Sequence, residues 1–230
     1  MTDNRLPPET RARILDTAEV LFMEHGLEAT SLRQITAQAG VNLAAVNYHF
    51  GSKEVLIQEV FRRRLTWLNE ERLRVLDQLE AAAGDGTVKP RLILDAFFGV
   101  ALRLASDVDG GGRTFMRLLS RTYVEPSEFV RGFLAEEYAA VVNRFKAALC
   151  KSLPAVPDEE ILWRFHFMVG AMSYALSGAD VLQIANDRPL DESPEALSAR
   201  LMIFLIGGLR APLPDLPDKT SKKLGGKKVA

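Results

Sequence analysis

Residues 30–54 read TSLRQITAQAGVNLAAVNYHFGSKE, and the order of caps and glycines in this stretch decides the fold. Ser31 followed three residues later by Gln34 is a capping-box pattern, in which a hydroxyl and an amide side chain satisfy each other's backbone N–H groups. It opens a short helix that ends near Ala39, where Gly40 permits a tight turn. Asn42 caps the next helix, over about Leu43–Phe50. Gly51-Ser52 breaks and recaps the chain. The long helix that follows carries Leu56, Ile57, Val60, Phe61, Leu65, Leu68 and Leu76 on its apolar face and runs to about Ala82. Two short helices about a glycine turn form a helix-turn-helix layout, in which the second helix enters the major groove of DNA.

Upstream, Ile14, Leu15, Ala18, Leu21 and Phe22 make one apolar stripe along a bracing helix from about Glu9 to His25, stopped by Gly26. Downstream, a break near Gly84–Lys89 separates this head from a body. Body helices are expected at about Pro90–Asp107, Arg113–Tyr123, Ser127–Lys151, Asp158–Gly178 and Pro194–Arg210. Gly110, Gly111 and Gly112 mark a mobile connector, and Pro154 and Pro157 bracket another loop. The tail from Ala211 is Pro-rich, then Lys-rich, and reads as disordered. No sustained strand alternation or 20–50-residue repeat is present. The fold class is therefore all-α. A three-helix helix-turn-helix head occupies residues 1–55, with its connecting helix to about 83; a C-terminal helical bundle occupies 84–210, and a tail 211–230.

Composition excludes some functions and leaves others open. The chain is 47% hydrophobic and 26% charged, with a net charge of −1. Its single cysteine, Cys150, excludes an internal disulfide framework and a multi-cysteine zinc site and fits a reducing cytoplasm. The longest uncharged runs, Phe167–Ala179 and Leu201–Leu209, fall short of the roughly 18 apolar residues that span a bilayer. Met1–Pro8 is polar and does not resemble a secretory signal, so no membrane partner is expected.

No phosphate-cradling glycine loop or HExxH pattern occurs, and His25, His49 and His166 are scattered. The pairs Glu136-Glu137 and Glu159-Glu160 read as solvated helix charge. No catalytic residue, metal ligand or cofactor is assigned, and the chain is not expected to be an enzyme. A helical scaffold for protein partners, or an enzyme with a helical body, are the alternatives. Salt-dependent, sequence-selective DNA binding separates a DNA reader from both.

Residues 1–53 hold five basic residues (Arg5, Arg11, Arg13, Arg33, Lys53) against six acidic ones (Asp3, Glu9, Asp16, Glu19, Glu24, Glu28). Binding to double-stranded DNA must therefore rest on where charge is placed and on helix N-termini. Within the second helix, Leu43, Ala44, Asn47 and Tyr48 fall on the exposed side, whereas Val46 and Phe50 turn inward. Ala44 and Ala45 allow close approach. Asn47 presents a paired donor and acceptor to an adenine edge, while Tyr48 and His49 suit phosphate oxygens. Thr30, Ser31, Arg33, Asn42 and Lys53, around the helix starts, complete the expected interface.

Phe22, Gly26, Thr30, Ile35, Ala39-Gly40-Val41, Tyr48-His49-Phe50 and Ser52-Lys53-Glu54 with Leu56 resemble, without a gap, the TetR family of transcriptional regulators. The likeness covers only the head. The family often has tyrosine where this chain has Asn47, which moves that residue from phosphate contact toward base reading. The stretches Val41–Lys53 and Arg121–Phe129 look like a subgroup that includes fatty-acid-responsive repressors. The resemblance implies a homodimeric repressor on a palindromic operator, with a body that dimerises and binds a small-molecule effector, here of fatty-acid or acyl-CoA type.

For that effector the body offers Phe97, Phe98, Phe115, Met116, Phe129, Phe133, Phe165 and Met168, with Arg117, Arg121 and His166 for an anionic headgroup. The same aromatic spacing equally describes plain core. For the interface, Met172, Tyr174, Ala175, Leu201, Phe204, Leu205 and Gly208 lie on two helices that are apolar nearly all round, and these too can serve as monomer core.

Overall fold

The computed structural model describes residues 8–123, 128–177 and 193–215, and the caps and glycines of the sequence become its helix ends. The head comprises α1 (Pro8–His25), α2 (Leu32–Ala39) and α3 (Leu43–Phe50), followed by α4 (Lys53–Ala83). The Ser31 hydroxyl accepts the Gln34 N–H at 3.2 Å, and the Gln34 side chain accepts the Ser31 N–H at 2.8 Å. Gly40 ends α2 at φ 63°, a left-handed conformation that glycine adopts without a Cβ penalty. Asn42 Oδ1 accepts from Ala45 N at 2.9 Å, and Ser52 Oγ accepts from Val55 N at 3.3 Å, fixing the starts of α3 and α4. Ile14, Ala18, Phe22, Ile35, Val46, Phe50 and Leu56 are buried between these helices. Each large apolar side chain so placed contributes roughly 1.5–3 kcal/mol.

The body contains α5 (Pro90–Leu94), a π-helical turn (Asp95–Gly99), α6 (Val100–Ser106), α7 (Gly112–Thr122), α8 (Glu128–Ser152), α9 (Asp158–Leu176) and α10 (Pro194–Leu209). The uninterrupted helix expected over 90–107 is thus broken by a π turn. Its wider winding accommodates an extra residue, and the adjacent Phe97 and Phe98 are both buried there. Helix α4 joins the two parts: it packs on α1 and α3, and on the π turn, α6, α7 and α8. Among the described residues no helix is long and apolar enough to cross a membrane.

The glycine run 110–112 is a constructed turn rather than the loose connector expected. Asp107 Oδ1 accepts from Gly110 N at 2.9 Å, and Arg64 Nη2 donates to the Gly110 carbonyl at 2.6 Å. A Cβ on Gly112 would lie 2.2 Å from the Leu104 carbonyl oxygen, so close packing of α6 against α7 requires glycine there. The disordered tail expected beyond residue 215, and the ends expected for α8 at Ser127 and α9 at Gly178, lie outside the described residues.

Candidate nucleic-acid interface

Helix α3 exposes one edge and anchors the other. Val46 is fully buried and Phe50 and Ala45 are 4% exposed, whereas Leu43, Ala44, Asn47 and Tyr48 face outward, Tyr48 at 61%. The exposed edge thus carries a flat aliphatic start, an amide and a phenol, and nothing bulky between them. His49 is half-buried with its ring edge-on to Tyr48, and its Nε2 is buried without a hydrogen-bond partner. Arg33 projects from the first turn of α2 as an exposed cation.

Several residues expected at this surface have other duties. Thr30 is fully buried, and its hydroxyl lies within hydrogen-bond reach of the Leu21 and Gly26 carbonyls at 3.1 and 2.8 Å. It ties the end of α1 to the start of α2 and cannot offer that hydroxyl to DNA. Ala45 points into the head core, so the close approach expected of it falls to Ala44 alone. Asn42 and Ser31 use their side chains as caps. Lys53 Nζ donates to the Glu28 carbonyl at 3.1 Å, bracing the α1–α2 loop against the start of α4.

Two acidic residues of α1, Asp16 and Glu19, are paired from behind. Arg63 donates to Asp16 Oδ1 at 2.6 Å and to the buried Glu19 Oε2 at 2.8 Å, with Arg64 Nε 3.4 Å from the same oxygen. Those carboxylates hold Arg63 above its ordinary pKa, overcoming a desolvation that acts the other way. Arg11 pairs with Glu59 and lies over the Phe50 ring. The Arg63 and Arg64 contacts offset two α1 carboxylates, which a count of charges over residues 1–53 could not register because these arginines follow residue 60. Arg121 Nη1 donates to the Met23 carbonyl at 3.1 Å, so a body residue expected to meet a ligand headgroup instead holds α1 to α7.

In the body, Phe97, Phe98, Phe115, Met116, Phe133, Phe165 and Met168 are all buried. Phe97 packs edge-on against Phe98, Phe145 and Phe165, with centroids 4.9, 5.0 and 4.7 Å away, while Phe115 and Phe133 flank Phe61 of α4. Phe129 lies at the surface, 39% exposed. Arg117 and His166 are also exposed, away from the buried rings, which corrects the expectation of a headgroup partner at those positions: each lies on the outward stripe of its helix. A cleft of about 510 Å³ between α4 and α6 is lined by Arg63, Arg64, Trp67, Glu71, Val100, Arg103, Leu104 and Asp107, none of them foreseen. The charge that does reach the aromatic interior is Arg72 of α4. It is 1% exposed, its Cζ lies 3.9 Å from the Phe97 ring centroid, and burial pulls its pKa below the ordinary value.

The last two helices divide the expected interface set. Met172, Leu201 and Leu205 are buried within the chain's own core, because α9 and α10 pack against each other through those faces. Tyr174, Phe204 and Gly208 are exposed and Ala175 half-buried. With them lie the exposed large apolar side chains Leu162, Trp163, Phe167 and Ile203, the last 73% exposed. Trp163, Phe167 and Tyr174 follow helical spacing and form one outward stripe, with Trp163 and Phe167 stacked at 5.7 Å.

The sequence profile described as bacterial regulatory proteins, tetR family, matches residues 14–60, and that described as tetracyclin repressor-like, C-terminal domain, matches residues 95–208. The HTH-type transcriptional repressor KstR2 of Mycolicibacterium smegmatis is 37% identical over 71 residues, 31% of this chain and 35% of that protein. The HTH-type transcriptional regulator AcrR of Shigella flexneri is 43% identical over 53 residues, 23% of this chain and 25% of that protein. The chain thus matches only about a third or less of the length of these curated relatives. Among solved structures, the fatty acid degradation regulator FadR of Bacillus halodurans superposes with a TM-score of 0.61 at 17% identity, covering 91% of this chain and all of that one. The ketosteroid transcriptional regulator KstR2 of Mycobacterium tuberculosis gives 0.61 at 20% identity, covering 88% and 96%.

Proposed function

Because the chain belongs to the TetR family of DNA-binding transcriptional regulators, we propose that it is a repressor that binds an inverted-repeat operator as a homodimer. It releases that operator when its body takes up a small, largely apolar effector. The observation that carries the reading is α3: a helix with one edge locked by Val46 and Phe50 and the other, Leu43-Ala44-Asn47-Tyr48, open for the major groove. Asn47 reads a base edge, and Tyr48 and Arg33 hold phosphates. The chain acts by binding and not by turnover, in the cytoplasm, with no cofactor.

One short recognition helix makes few base contacts, and two carried by a symmetric dimer read two half-sites a whole number of DNA turns apart. The exposed stripe of Trp163, Phe167 and Tyr174 on α9, beside Ile203 and Phe204 on α10, supplies the apolar face for that dimer, since contiguous apolar patches of this kind are rare on isolated chains. An acyl-type effector is supported by the aromatic interior around Phe97, and by two structural neighbours that are named for regulating fatty acid degradation and ketosteroids.

Selection of bound sequences from random DNA with the purified chain tests the proposal. Recovery of an inverted repeat, with affinity that falls steeply as salt rises, is the expected result. A folded, dimeric protein that enriches no motif would overturn it.

A further inference from the structure

In the major groove each base calls for a different side chain. Guanine O6 and N7 take arginine or lysine, cytosine N4 donates to a carboxylate, adenine takes asparagine or glutamine, and the C5-methyl of thymine takes an apolar contact. Helix α3 offers only the last two. From Asn42 to Tyr48 there is no charged side chain. His49 is half-buried, with its Nε2 enclosed. Lys53, the next cation along the chain, donates to the Glu28 carbonyl at 3.1 Å. Arg11, over the Phe50 ring, pairs with Glu59. Arg33 stands on α2, the helix that crosses the DNA backbone in this layout. Neither base of a G·C pair therefore finds its partner on α3.

The two chemistries that remain sit side by side. Leu43 is 42% exposed, and Asn47, one turn later, is exposed on the same face, about 6 Å further along the axis. Leu43 opens α3 directly after its Asn42 cap, whose Oδ1 is spent on Ala45 N at 2.9 Å. It thus lies in the N-terminal turn, the part of a recognition helix that meets base edges. Ala44 beside it is exposed and carries a single methyl, too short to hold the helix off the bases. Leu43 has no hydrogen bond to give, so its gain comes from withdrawing apolar area from water. In the groove wall the group that returns such a contact is the thymine methyl.

We infer that Leu43 reads the C5-methyl of a thymine in each half-site, close to the adenine held by Asn47. The inference rests on the reading that α3 enters the major groove, and it names the bases that α3 selects. With base pairs spaced about 3.4 Å apart, the offset between Leu43 and Asn47 places that thymine, on either strand, within about two base pairs of the adenine. The segment under α3 is then made of A·T pairs, discriminated by one amide and one methyl contact and by no cation.

The test uses the full chain and the inverted repeat recovered by selection. Each thymine of a half-site, on both strands, is replaced singly by deoxyuridine, which keeps every donor and acceptor and loses only the methyl. Affinity is read by fluorescence anisotropy at one fixed salt concentration. At one position within two base pairs of the adenine that Asn47→Ala releases, the replacement is expected to weaken binding about fourfold, the worth of one methyl group withdrawn from water. In Leu43→Ser the thymine and deoxyuridine operators should bind equally there, with the adenine preference retained, whereas Ala44→Ser should leave the methyl effect in place. If Leu43→Ser does not fold, Leu43→Ala carries the same comparison in a residue that favours helix. A methyl effect that survives loss of the Leu43 side chain overturns the inference, and so does a G·C pair required within two base pairs of that adenine. Indifference to deoxyuridine at every position overturns it too, and leaves the operator reading standing. Recovery of no inverted repeat overturns that reading and the inference with it.

Discussion

At the scale of single residues, the head separates side chains that read from side chains that hold. Asn47 and Tyr48 are adjacent and exposed, yet their chemistry differs: an amide pairs with a base edge, whereas a phenol has no such paired donor and acceptor and suits a phosphate. Asn47→Ala is expected to relax sequence preference at one position in each half-site, at about 1–3 kcal/mol of discrimination, with other positions unaltered. Quantitative binding to a library of single-base operator variants reads this directly, and uniform weakening across the library would make Asn47 a backbone contact. Thr30 is the opposite case. Thr30→Val keeps its shape but removes the hydroxyl shared between the Leu21 and Gly26 carbonyls, so urea denaturation should show a loss of about 1–3 kcal/mol. Both residues stand in the same short stretch of sequence, and the caps, the Gly40 turn and the inward set Val46 and Phe50 were legible there from spacing alone. Burial of Thr30 was not legible, because a hydroxyl before a helix start reads equally as a cap, a phosphate contact or a tie to the preceding helix, and only the position of the α1 carbonyls decides.

At the scale of elements, boundaries followed local signals and junctions did not. Helix α3 occupies the residues its caps predict, and α4 begins one residue after Ser52 as a cap requires. The π turn at Asp95–Gly99 escaped notice because it answers a demand from α4: Arg72 meets the Phe97 carbonyl from another part of the chain. The joint between head and body escaped for the same reason. Glu19 of α1 is buried against Arg63 and Arg64 of α4, and Arg64 continues to the Gly110 carbonyl at the α6–α7 turn. This contact chain connects the bracing helix of the head to the body through a single carboxylate. Glu19→Ala leaves both guanidinium groups without it and is expected to lower stability by about 1.5–3 kcal/mol. The same variant should weaken the link between effector and operator: in a fluorescence anisotropy titration, effector added to the variant–operator complex releases less DNA than from the unaltered chain. Unchanged release at an equal fraction of bound effector would place the coupling elsewhere, along α4 itself.

At the scale of the whole molecule, α9 and α10 each have one face turned inward and one turned outward. Their inward faces, with Met172, Leu201 and Leu205, complete the core of one chain, and their outward faces leave Phe167 64% and Phe204 67% exposed. Sequence alone could assign both helices to an apolar environment, but not say which face met which, since apolar residues occur nearly all round them and periodicity carries no direction in that case. If the outward face seats a second copy, the contact is self-complementary about a two-fold axis, as closed dimers require, and the two α3 helices are then related by the same axis as the operator halves. Phe167→Glu combined with Phe204→Glu places four carboxylates in such an interface, where like charges deprived of water repel and cannot be compensated. Both side chains are exposed in the single chain, so its own fold should be little affected and the far-UV circular dichroism should be retained. Sedimentation velocity should then report the mass of one chain. Operator affinity should fall by more than about a hundredfold, because each head now binds a half-site alone and the effective concentration supplied by its tethered partner is lost. A double variant that stays dimeric would move the interface off α9 and α10, whereas a monomeric variant that still binds the full operator at its original affinity would show that one head suffices.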